Sequence, residues 1–452
     1  MRLEDALAPW LQEQRWFAGK GRTLRDLSVV ADTEVVAGDP ALRHLIVLVS
    51  HGATADHYQI FIGLRHGLPG WLEHARIGTL DDGRQVYDAL HDPELTRALL
   101  RAIAGNQTIS TLTFHREPGA EIDTELDSIV LTAEQSNTSL VYGEQSILKV
   151  FRRVSPGPNP DLEVTSALNR LGSPHIAEPY GSIETVMDGV GTTLAILSTF
   201  LRTATDGWTL AATSVRDLYA RDLYEGDTVS AAEAGGDFSG EAHRLGVATA
   251  EVHQDLARAF GTEELTPDAL HETAEEMYRR LDLAAAAVPE LARYVDMISN
   301  VYSALAKINE PVPAQRVHGD YHLGQVMRTD AGWILLDFEG EPATPLAQRR
   351  ARSSPLRDVA GMLRSFEYAA RFQLLTNPDA GQLHDAASEW SRRNSNAFCA
   401  GYAEGGGLDP VANEVLLRAL TLDKAVYEVM YEARHRPSWL QIPLESLADF
   451  PD

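Results

Sequence analysis

The sequence has a single cysteine, Cys399, among its 452 residues. An intrachain disulfide is therefore impossible, and a metal site made of several thiolates is excluded. Long apolar runs are also lacking: no stretch of about 18 apolar residues occurs, so we predict no membrane-spanning helix. The first 20 residues have no uninterrupted apolar segment, so we expect no secretory signal. These absences fit a protein of the reducing cytoplasm.

Positive charge is scarce relative to negative charge. The sequence has 39 lysines and arginines against 65 aspartates and glutamates, which gives a formal net charge of −26. Such a chain is repelled by the phosphates of nucleic acids and by anionic membrane surfaces, so neither is expected as a partner. The charge is spread out, which is typical of a solvated acidic surface. We expect a monomer that binds a small molecule.

The length and the 44% hydrophobic content allow two or three domains, each with its own core. Residues 1–88 predict a small α+β unit: a helix from Leu3 to Gln14, followed by the strand-like segments LSVVADTEVV, HLIVLVS and HYQIFIGL. Residues 89–201 predict a second β-rich unit, with a helix near residues 95–105 that begins at Asp92 or Pro93. Residues 202–452 predict a largely helical region.

One stretch, VHGDYHLGQVMRTDAGWILLDFEGEP, has polar residues at spacings that ordinary loops do not require. Asp320 and Gln325 are five residues apart, and Asp337 lies twelve residues further on, after the apolar segment GWILL. We read the stretch as loop, strand and loop, with a buried strand that delivers Asp337 at its end. Phosphoryl transfer needs a carboxylate near the incoming hydroxyl and oxygen ligands for Mg²⁺. We interpret Asp320 as that carboxylate, and Gln325 and Asp337 as the metal ligands.

A single aspartate at such a position more often caps a turn or ends a strand. The combined pattern, HxDxxxxN/Q followed by an apolar strand and an aspartate, is typical of the catalytic and metal-binding loops of kinase-like folds. The combination therefore favours the functional interpretation over the structural one. His318 and Asp358 are predicted to hold the backbone of this loop.

The same pattern requires a lysine on an upstream strand and a glutamate on the next helix. SILKVFRRV supplies Lys149, and DLEVTSALNRLG supplies Glu163 in the first turn of a helix that we predict to run from an N-cap at Asp161 to a stop at Gly172. Lys149 would neutralise the charge of the nucleotide phosphates, and Glu163 would orient the lysine side chain. The alternative is a surface lysine and a first-turn acid that complements the helix dipole.

The GxGxxG loop of protein kinases is absent before this lysine, and AEQSNTSLVYG stands in its place, with a hairpin turn predicted at YGEQ. A plain turn is one reading of the segment. The other is that it cradles phosphates through hydroxyl, amide and backbone N–H donors of Ser136, Asn137, Thr138 and Ser139. Further on, LAILSTFL is predicted to connect the ATP-binding and helical regions. Ser198 and Phe200 are its candidate adenine contacts.

Together these residues resemble the aminoglycoside- and sugar-kinase branch of the kinase-like fold. More specifically, segments along nearly the whole chain resemble maltokinases: WLQEQRWFAGKGR, AEQSNTS, ILKVFRRV, DLYEGD with GGDFSGEAHRLG, VHGDYHLGQV, LLDFEGEP, SPLRDVAGMLRSFEYAA and DKAVYEVMYEARHRPSWLQIPL. The resemblance implies a bilobal, protein-kinase-like α+β fold with an extra N-terminal α+β cap and a mainly helical C-lobe. It also implies ATP and Mg²⁺ as cofactors and maltose as the acceptor, phosphorylated at its anomeric hydroxyl for α-glucan and glycogen synthesis.

A sugar-binding surface is predicted on the last clear helix, LDKAVYEVMYEAR. At 100° per residue its apolar residues share one side, and two tyrosines and an arginine lie broadly opposite. Flat aromatic rings and planar polar groups suit a sugar, although the rings could instead pack on a neighbouring segment, and the histidine could instead hold its loop. The residues predicted to contact the acceptor are Tyr427, Tyr431, Arg434, Glu428, His322 and Tyr368.

Two alternatives to a maltokinase remain open. One is a kinase of another small hydroxylated acceptor, such as glucosamine, an aminoglycoside or a different sugar, because Glu428 and Glu432 lie beside Tyr431 and would suit a cationic group. The other is a nucleotide-binding scaffold without activity. The complete set of catalytic, metal-binding and phosphate-binding candidates argues against the scaffold.

Overall fold

The structure, a computed structural model, describes residues 2–19, 24–51, 54–131, 136–225, 232, 237–341, 344–377 and 379–450. The chain divides into two compact units: residues 1–166 with 177–202, and residues 167–176 with 203–452. Helices and antiparallel strands are both abundant, so the α+β class predicted from the sequence is confirmed. Within the described ranges, no helix has the length and apolar character needed to cross a bilayer.

The first unit is built on two antiparallel sheets. Its elements are α1 (Leu3–Glu13), β1 (Asp26–Val36), β2 (Ala41–His51), β3 (Thr54–Arg65), β4 (Arg76–Thr79), β5 (Gln85–Asp88), α2 (Pro93–Ala104), β6 (Thr108–Ile109), β7 (Leu112–Arg116), β8 (Ser128–Val130), β9 (Thr138–Tyr142), β10 (Ser146–Val150), β11 (Arg153–Val154), α3 (Pro160–Arg170), β12 (Pro179–Met187) and β13 (Val190–Thr199). One sheet has the order β1-β2-β3-β5-β4, with β11 beside β3. The other has the order β6-β7-β12-β13-β10-β9-β8. The helices predicted at Leu3 and near residue 95, and the three predicted N-terminal strands, are confirmed.

Core packing in this unit follows the side-chain periods of the α-helix and of the β-strand. Leu7 and Leu11, one helical turn apart on α1, belong to the same buried cluster as the alternating strand residues Leu45 and Val47 of β2. Helix α2 starts where the sequence indicated, since the Asp92 carboxylate accepts the N–H of Glu94 at 3.1 Å. The hairpin predicted at YGEQ joins β9 to β10.

Helix α3 begins earlier than predicted. Asn159, not Asp161, is its N-cap, because Asn159 Oδ1 accepts the N–H of Asp161 at 2.8 Å. The prediction of Asp161 was wrong because Pro160, which lacks an N–H and has a fixed φ, occupies the first helical position. Gly172, with φ +72°, follows the helix as predicted.

A buried histidine and glutamine connect the two sheets of the first unit. The Gln59 side-chain amide on β3 donates to the carbonyls of Phe151 (2.7 Å) and Leu194 (2.5 Å). Because both amide hydrogens are used, Gln59 Oε1 must accept from Nε2–H of His44 on β2, at 3.1 Å. Burial lowers the pKa of His44 to about 4, although its hydrogen bond to Gln59 opposes the shift. His44 is therefore neutral in the folded protein at neutral pH.

His44 is expected to make the protein less stable in mild acid. Between pH 6.5 and pH 4 the unfolded chain binds a proton at this histidine and the folded chain does not, so stability falls as the pH falls through that window. Between pH 7.5 and pH 5 the loss is about 2 kcal/mol, from 1.36 kcal/mol per pKa unit. We expect His44→Gln to remove about that much of the pH dependence in urea unfolding. His66→Gln, at an exposed histidine of the same unit, is the control. An unchanged pH dependence in His44→Gln would contradict the assignment.

The second unit is mainly helical, as predicted. Its elements are β14 (Thr205–Asp206), α4 (Gly207–Glu225), α5 (Ser239–Phe260), β15 (Thr262–Leu265), α6 (Pro267–Ala287), α7 (Val295–Leu305), β16 (Val312–Gln315), β17 (Val326–Thr329), β18 (Gly332–Leu335), α8 (Leu346–Arg349), α9 (Leu356–Phe372), α10 (Ala380–Glu404), α11 (Glu414–His435) and α12 (Gln441–Ala448). Small sheets, β14-β17-β18 and β15-β16, interrupt the helices.

The prediction of a loop, a strand and a loop for residues 317–342 missed one strand. The buried strand before Asp337 is β18, as predicted, but it forms a hairpin with β17, which the sequence reading missed. The missed strand has the sequence VMRT, and three of its four residues are half-buried. So short a segment has too little alternation to be recognised as a strand.

Candidate active site

Helix α9 holds the loop that carries Asp320. The buried carboxylate of Asp358 accepts the N–H of His318 at 2.7 Å and the N–H of Gly319 at 2.9 Å. His253 of α5 contacts the same carboxylate at 3.0 Å. Burial raises the pKa of Asp358, but the hydrogen bond and charge of His253, with the backbone donors, hold it below its usual value. The prediction that Asp358 supports the loop backbone is confirmed.

His318 connects this loop to the segment before Asp337. Its Nε2 donates to the carbonyl of Leu336 at 2.7 Å, because a carbonyl oxygen can only accept. The unprotonated Nδ1 then accepts the N–H of Asp320 at 3.4 Å. As predicted, His318 holds backbone, and it places Asp320 at a fixed position relative to the residues that follow β18.

Two glycines allow the backbones to approach closely. Gly319 has φ +85°, and a Cβ there would lie 3.3 Å from the Cα of Gly340. A Cβ on Gly361 of α9 would lie 2.6 Å from the carbonyl oxygen of Tyr321. Helix α9 therefore packs on the loop too closely for a side chain at Gly361, and the positive φ of Gly319 favours glycine there.

Gln325 and Asp337 come to the same end of the β17–β18 hairpin. Val326 pairs with Leu335, and the N–H of Leu336 donates to the carbonyl of Gln325 at 2.9 Å. Asp337 follows directly with φ +59°, a left-handed conformation that is costly for a residue other than glycine. An amide oxygen and a carboxylate are donors that Mg²⁺ prefers, and the ion usually keeps several waters. The pair therefore fits the predicted magnesium site, which stays a prediction.

A cavity of about 670 Å³ in the second unit brings together most of the predicted acceptor residues. Trp208 of α4 and Glu432 also lie in its wall, as do Glu341, Lys424, Arg436 and Trp439, which were not predicted to contact the acceptor. The lining residues that the sequence reading selected are Asp320, His322, Tyr368, Tyr427, Glu428 and Tyr431. The helical spacing found the tyrosines, because they lie on one face of α11, where their rings stack with centroids 6.2 Å apart.

Arg434 is exposed and is not among the residues that line this cavity, whereas Arg436 is. The Arg436 guanidinium lies 5.3 Å from the Tyr431 ring and 4.2 Å from the Trp439 ring. It also donates to Glu432 at 2.7 and 2.8 Å. The helical wheel missed Arg436 because α11 ends just before it, and its backbone, with φ −143°, leaves the helical path.

The carboxylates around the cavity are paired, with one exception. Glu341 pairs with Lys424, Glu428 with Arg364 at 2.7 Å, and Glu432 with Arg436. Tyr368 also donates its hydroxyl to Glu432 at 3.1 Å. In the described part of the chain, no basic nitrogen lies within 4.0 Å of the Asp320 carboxylate. Asp320 is thus the carboxylate of this lining whose charge no contacting cation neutralises.

His322 has the loop-holding role that was its alternative interpretation. Its Nδ1 accepts the N–H of Gly324 at 3.0 Å, so Nε2 carries the ring proton in the neutral form. Burial lowers the pKa of His322, against the opposing charge of Asp320. The residue also lines the cavity, so a contact with the acceptor stays a prediction.

The predicted nucleotide residues lie in the first unit. Lys149 lies on β10 between Ser139 of β9 and Ile196 of β13, with Nζ 5.5 Å from the Phe151 ring. Glu163 is half-buried in the first turns of α3. These placements agree with the predicted strand and helix, while the roles in binding ATP stay predictions.

The segment predicted to cover the phosphates is partly a strand. Ser136 and Asn137 precede β9, but Thr138 and Ser139 are buried within it. The Thr138 hydroxyl accepts from Nε of the buried Arg152 at 2.8 Å, so it already serves the protein core.

The candidate adenine contacts are at the end of β13. Ser198 lies within the strand, paired with Ile147 of β10. The N–H of Phe200 donates to the carbonyl of Gln145 at 2.9 Å, so that donor is used within the protein.

Comparison with known proteins defines the reaction class. Residues 10–92 match a family model described as the maltokinase N-terminal cap domain. The chain is 29% identical to the glucosamine kinase of Streptacidiphilus jiangxiensis over 331 residues, 71% of this chain and 72% of that protein. It is also 29% identical to the glucosamine kinase of Mycolicibacterium smegmatis (strain ATCC 700084 / mc(2)155) over 328 residues, 69% and 77% of the two chains. The chain is an ATP-dependent phosphotransferase with an alcohol group as acceptor.

Solved structures give the same fold. A glucosamine kinase in complex with glucosamine, ADP and inorganic phosphate matches with a TM-score of 0.69 and 23% identity, over 99% of both chains. A crystal form of glucosamine kinase, form B, matches with a TM-score of 0.71 and 23% identity over the same shares. The predicted kinase-like fold with an N-terminal cap is confirmed.

Proposed function

We propose that this protein is a sugar kinase that transfers the γ-phosphoryl group of ATP to the anomeric hydroxyl of maltose. The observation that carries the proposal is the cavity of about 670 Å³ in which Asp320 lies beside Tyr368, Tyr427 and Tyr431. Its volume is within the range of about 300–1,000 Å³ that is usual for small-molecule sites. Aromatic rings suit the faces of a sugar, and Asp320 is the carboxylate of the lining that no cation of the described residues contacts.

Charge and family resemblance favour maltose over an amino sugar. Glu341, Glu428 and Glu432 each pair with a cation of the protein, so the lining offers a neutral sugar hydrogen bonds without a surplus of negative charge beyond Asp320. The match of residues 10–92 to the maltokinase cap supports the same acceptor. The product, maltose 1-phosphate, would be an activated sugar for α-glucan and glycogen synthesis.

In the proposed reaction, Asp320 orients the C1 hydroxyl of the sugar and accepts its proton. A bond forms between that oxygen and the γ-phosphorus while the bond to the β–γ bridging oxygen breaks, and ADP leaves. Lys149, oriented by Glu163, would bind the nucleotide phosphates. Magnesium, with Gln325 and Asp337 as ligands, would supply positive charge next to the phosphate oxygens. The other contributions would be positioning and charge neutralisation by these side chains.

Glucosamine is the second candidate acceptor, because both curated relatives described above carry that name. Glu428 is the residue of the lining best suited to an ammonium group. Nε of Arg364 donates to Glu428 Oε2 at 2.8 Å and Nη2 lies 2.7 Å from the same oxygen, so this arginine does not occupy Oε1.

A panel of acceptors tests the proposal. Purified protein with ATP and Mg²⁺ is assayed for ADP release with maltose, glucose, glucosamine and kanamycin, and the phosphorylated carbon is identified by NMR. We expect maltose to give the highest kcat/KM and a phosphate at C1. A preference for glucosamine would replace maltose by the second candidate, and the absence of transfer to every acceptor would leave only a nucleotide-binding scaffold.

A further inference from the structure

Lys424 occupies a place in the cavity wall to which the mechanism above gives no role. It lies on α11, three residues before Tyr427, and its Nζ is 5.1 Å from the centre of that ring. Its side chain is 28% exposed and pairs with Glu341, which follows the β17–β18 hairpin by six residues. Lys424 also lines an adjoining cavity of about 270 Å³. A cation is thus held at the wall of the acceptor site by an anion of the protein.

The choice of lysine at this position is chemically informative. Of the 39 basic residues, four are lysines and 35 are arginines, and two other carboxylates of the lining, Glu428 and Glu432, pair with arginine. The planar fork of arginine directs its donors in fixed directions, whereas an ammonium group is compact and has three donors that can rotate. Lys424 can therefore contact Glu341 and still donate to a molecule in the cavity.

Asp320 and Lys424 face the same cavity without contacting each other. No ion pair within 4.0 Å joins them, and both side chains belong to the described part of the chain. Burial lowers the pKa of Lys424, but the charges of Glu341 and Asp320 raise it above its usual value, so the ammonium stays charged. Because both groups line one cavity, a ligand in it can meet a carboxylate and an ammonium.

We propose that Lys424 binds the acceptor sugar by donating a hydrogen bond to the hydroxyl next to the one that is phosphorylated. This inference rests on the proposed function, because it assigns the reacting hydroxyl to Asp320. Two neighbouring hydroxyls, one directed to Asp320 and one to Lys424, define the orientation of the sugar in the cavity. Glu341 is then a positioning residue that holds the ammonium towards the cavity.

A substrate analogue combined with a substitution tests the hydrogen bond directly. We compare wild type and Lys424→Met with maltose and with 2-deoxymaltose, which lacks the hydroxyl next to C1. For another acceptor, the analogue lacks the hydroxyl next to that sugar's own phosphorylated position. In wild type, the missing hydroxyl is expected to lower kcat/KM by about 10- to 100-fold, the range for a hydrogen bond to a charged group. With maltose, kcat/KM of Lys424→Met is expected to fall by a similar factor relative to wild type. In this variant, replacing maltose by the deoxy sugar is expected to lower kcat/KM by less than a further twofold.

Control variants separate binding from a structural role. Lys307→Met, at an exposed lysine of the same unit, is expected to keep the full wild-type difference between the two sugars. Lys424→Arg keeps the charge and is expected to recover part of the activity, and the KM for ATP should change less than threefold in all variants. If Lys424→Met does not fold, Lys424→Gln is used for the same comparison.

Failure of the inference about Lys424 and failure of the proposed function give different results. If wild type phosphorylates a sugar but the deoxy penalty is the same in wild type and Lys424→Met, the inference about Lys424 is wrong and the proposed function stands. If Lys424→Met phosphorylates the sugar as well as wild type does, the inference about Lys424 is likewise wrong and the proposed function stands. If wild type transfers phosphate to no sugar, the proposed function fails first.

Discussion

Asp320→Asn is expected to bind ATP as tightly as wild type and to lose about 10²- to 10⁴-fold in kcat, the range for a positioned proton acceptor. The amide keeps the size of the side chain but cannot take the proton of the attacking hydroxyl. Because the Asp320 side chain forms no ion pair with any residue that the structure describes, its substitution breaks no charge pair there. The loss should therefore concern turnover and not folding.

The measurement separates nucleotide binding from transfer. ATP affinity is determined by calorimetry, kcat by coupled ADP release, and folding by thermal unfolding. Asp330→Asn is the matched control, since Asp330 is an exposed aspartate in the turn between β17 and β18 and should give wild-type kcat. Turnover of Asp320→Asn within tenfold of wild type would remove Asp320 from its assigned role.

Asp358→Ala is expected to be the most damaging substitution outside the acceptor cavity. It leaves the N–H groups of His318 and Gly319 buried without an acceptor, and it removes one of the two side-chain partners of His253. Two unsatisfied buried donors cost about 3 kcal/mol in unfolding free energy. A loop displaced by about 1 Å can lose 10²-fold in rate, so we expect a similar loss of kcat.

The pH dependence of stability gives this prediction a second readout. The pKa of Asp358 is below its usual value in the folded protein, so its ionised form contributes stability above the unfolded pKa of about 3.9. That contribution is lost as the pH falls below about 4 and through the lower folded pKa. Urea unfolding between pH 3 and pH 7 should therefore show that the free energy of unfolding falls less on acidification in Asp358→Ala than in wild type.

The exposed Asp268 of α6 provides the comparison for this experiment. Asp268→Ala should change neither kcat nor the pH dependence by a comparable amount. If Asp358→Ala unfolds at the same urea concentration as wild type, the hydrogen bonds of Asp358 do not support the loop in solution.

Local spacing in the sequence was informative where one backbone segment carries several functional groups. Asp320, Gln325 and Asp337 are close along the chain, and a short buried strand connects them, so their pattern could be recognised from order alone. His318 and Asp358 were also assigned correctly as loop supports.

Other parts of the site could not be read from spacing. The helical wheel selected Arg434, but the chain leaves the helix at Arg436 and that side chain reaches the cavity. Thr138 looked like a loop donor, yet its hydroxyl accepts from the buried Arg152. A helix end and a buried partner both depend on residues distant in sequence, and no periodicity encodes them.

The amino-acid order was sufficient for the α+β class, because periodicity specifies strands and helices. The residues proposed for phosphoryl transfer came from the resemblance of their pattern to kinase-like loops. The charge balance of the acceptor cavity depended on folding. Glu341 meets Lys424, and Glu428 meets Arg364, across 83 and 64 positions of sequence. Whether a carboxylate is neutralised or left to act on a substrate is set by such long-range pairs, since electrostatic energy depends on distance in space.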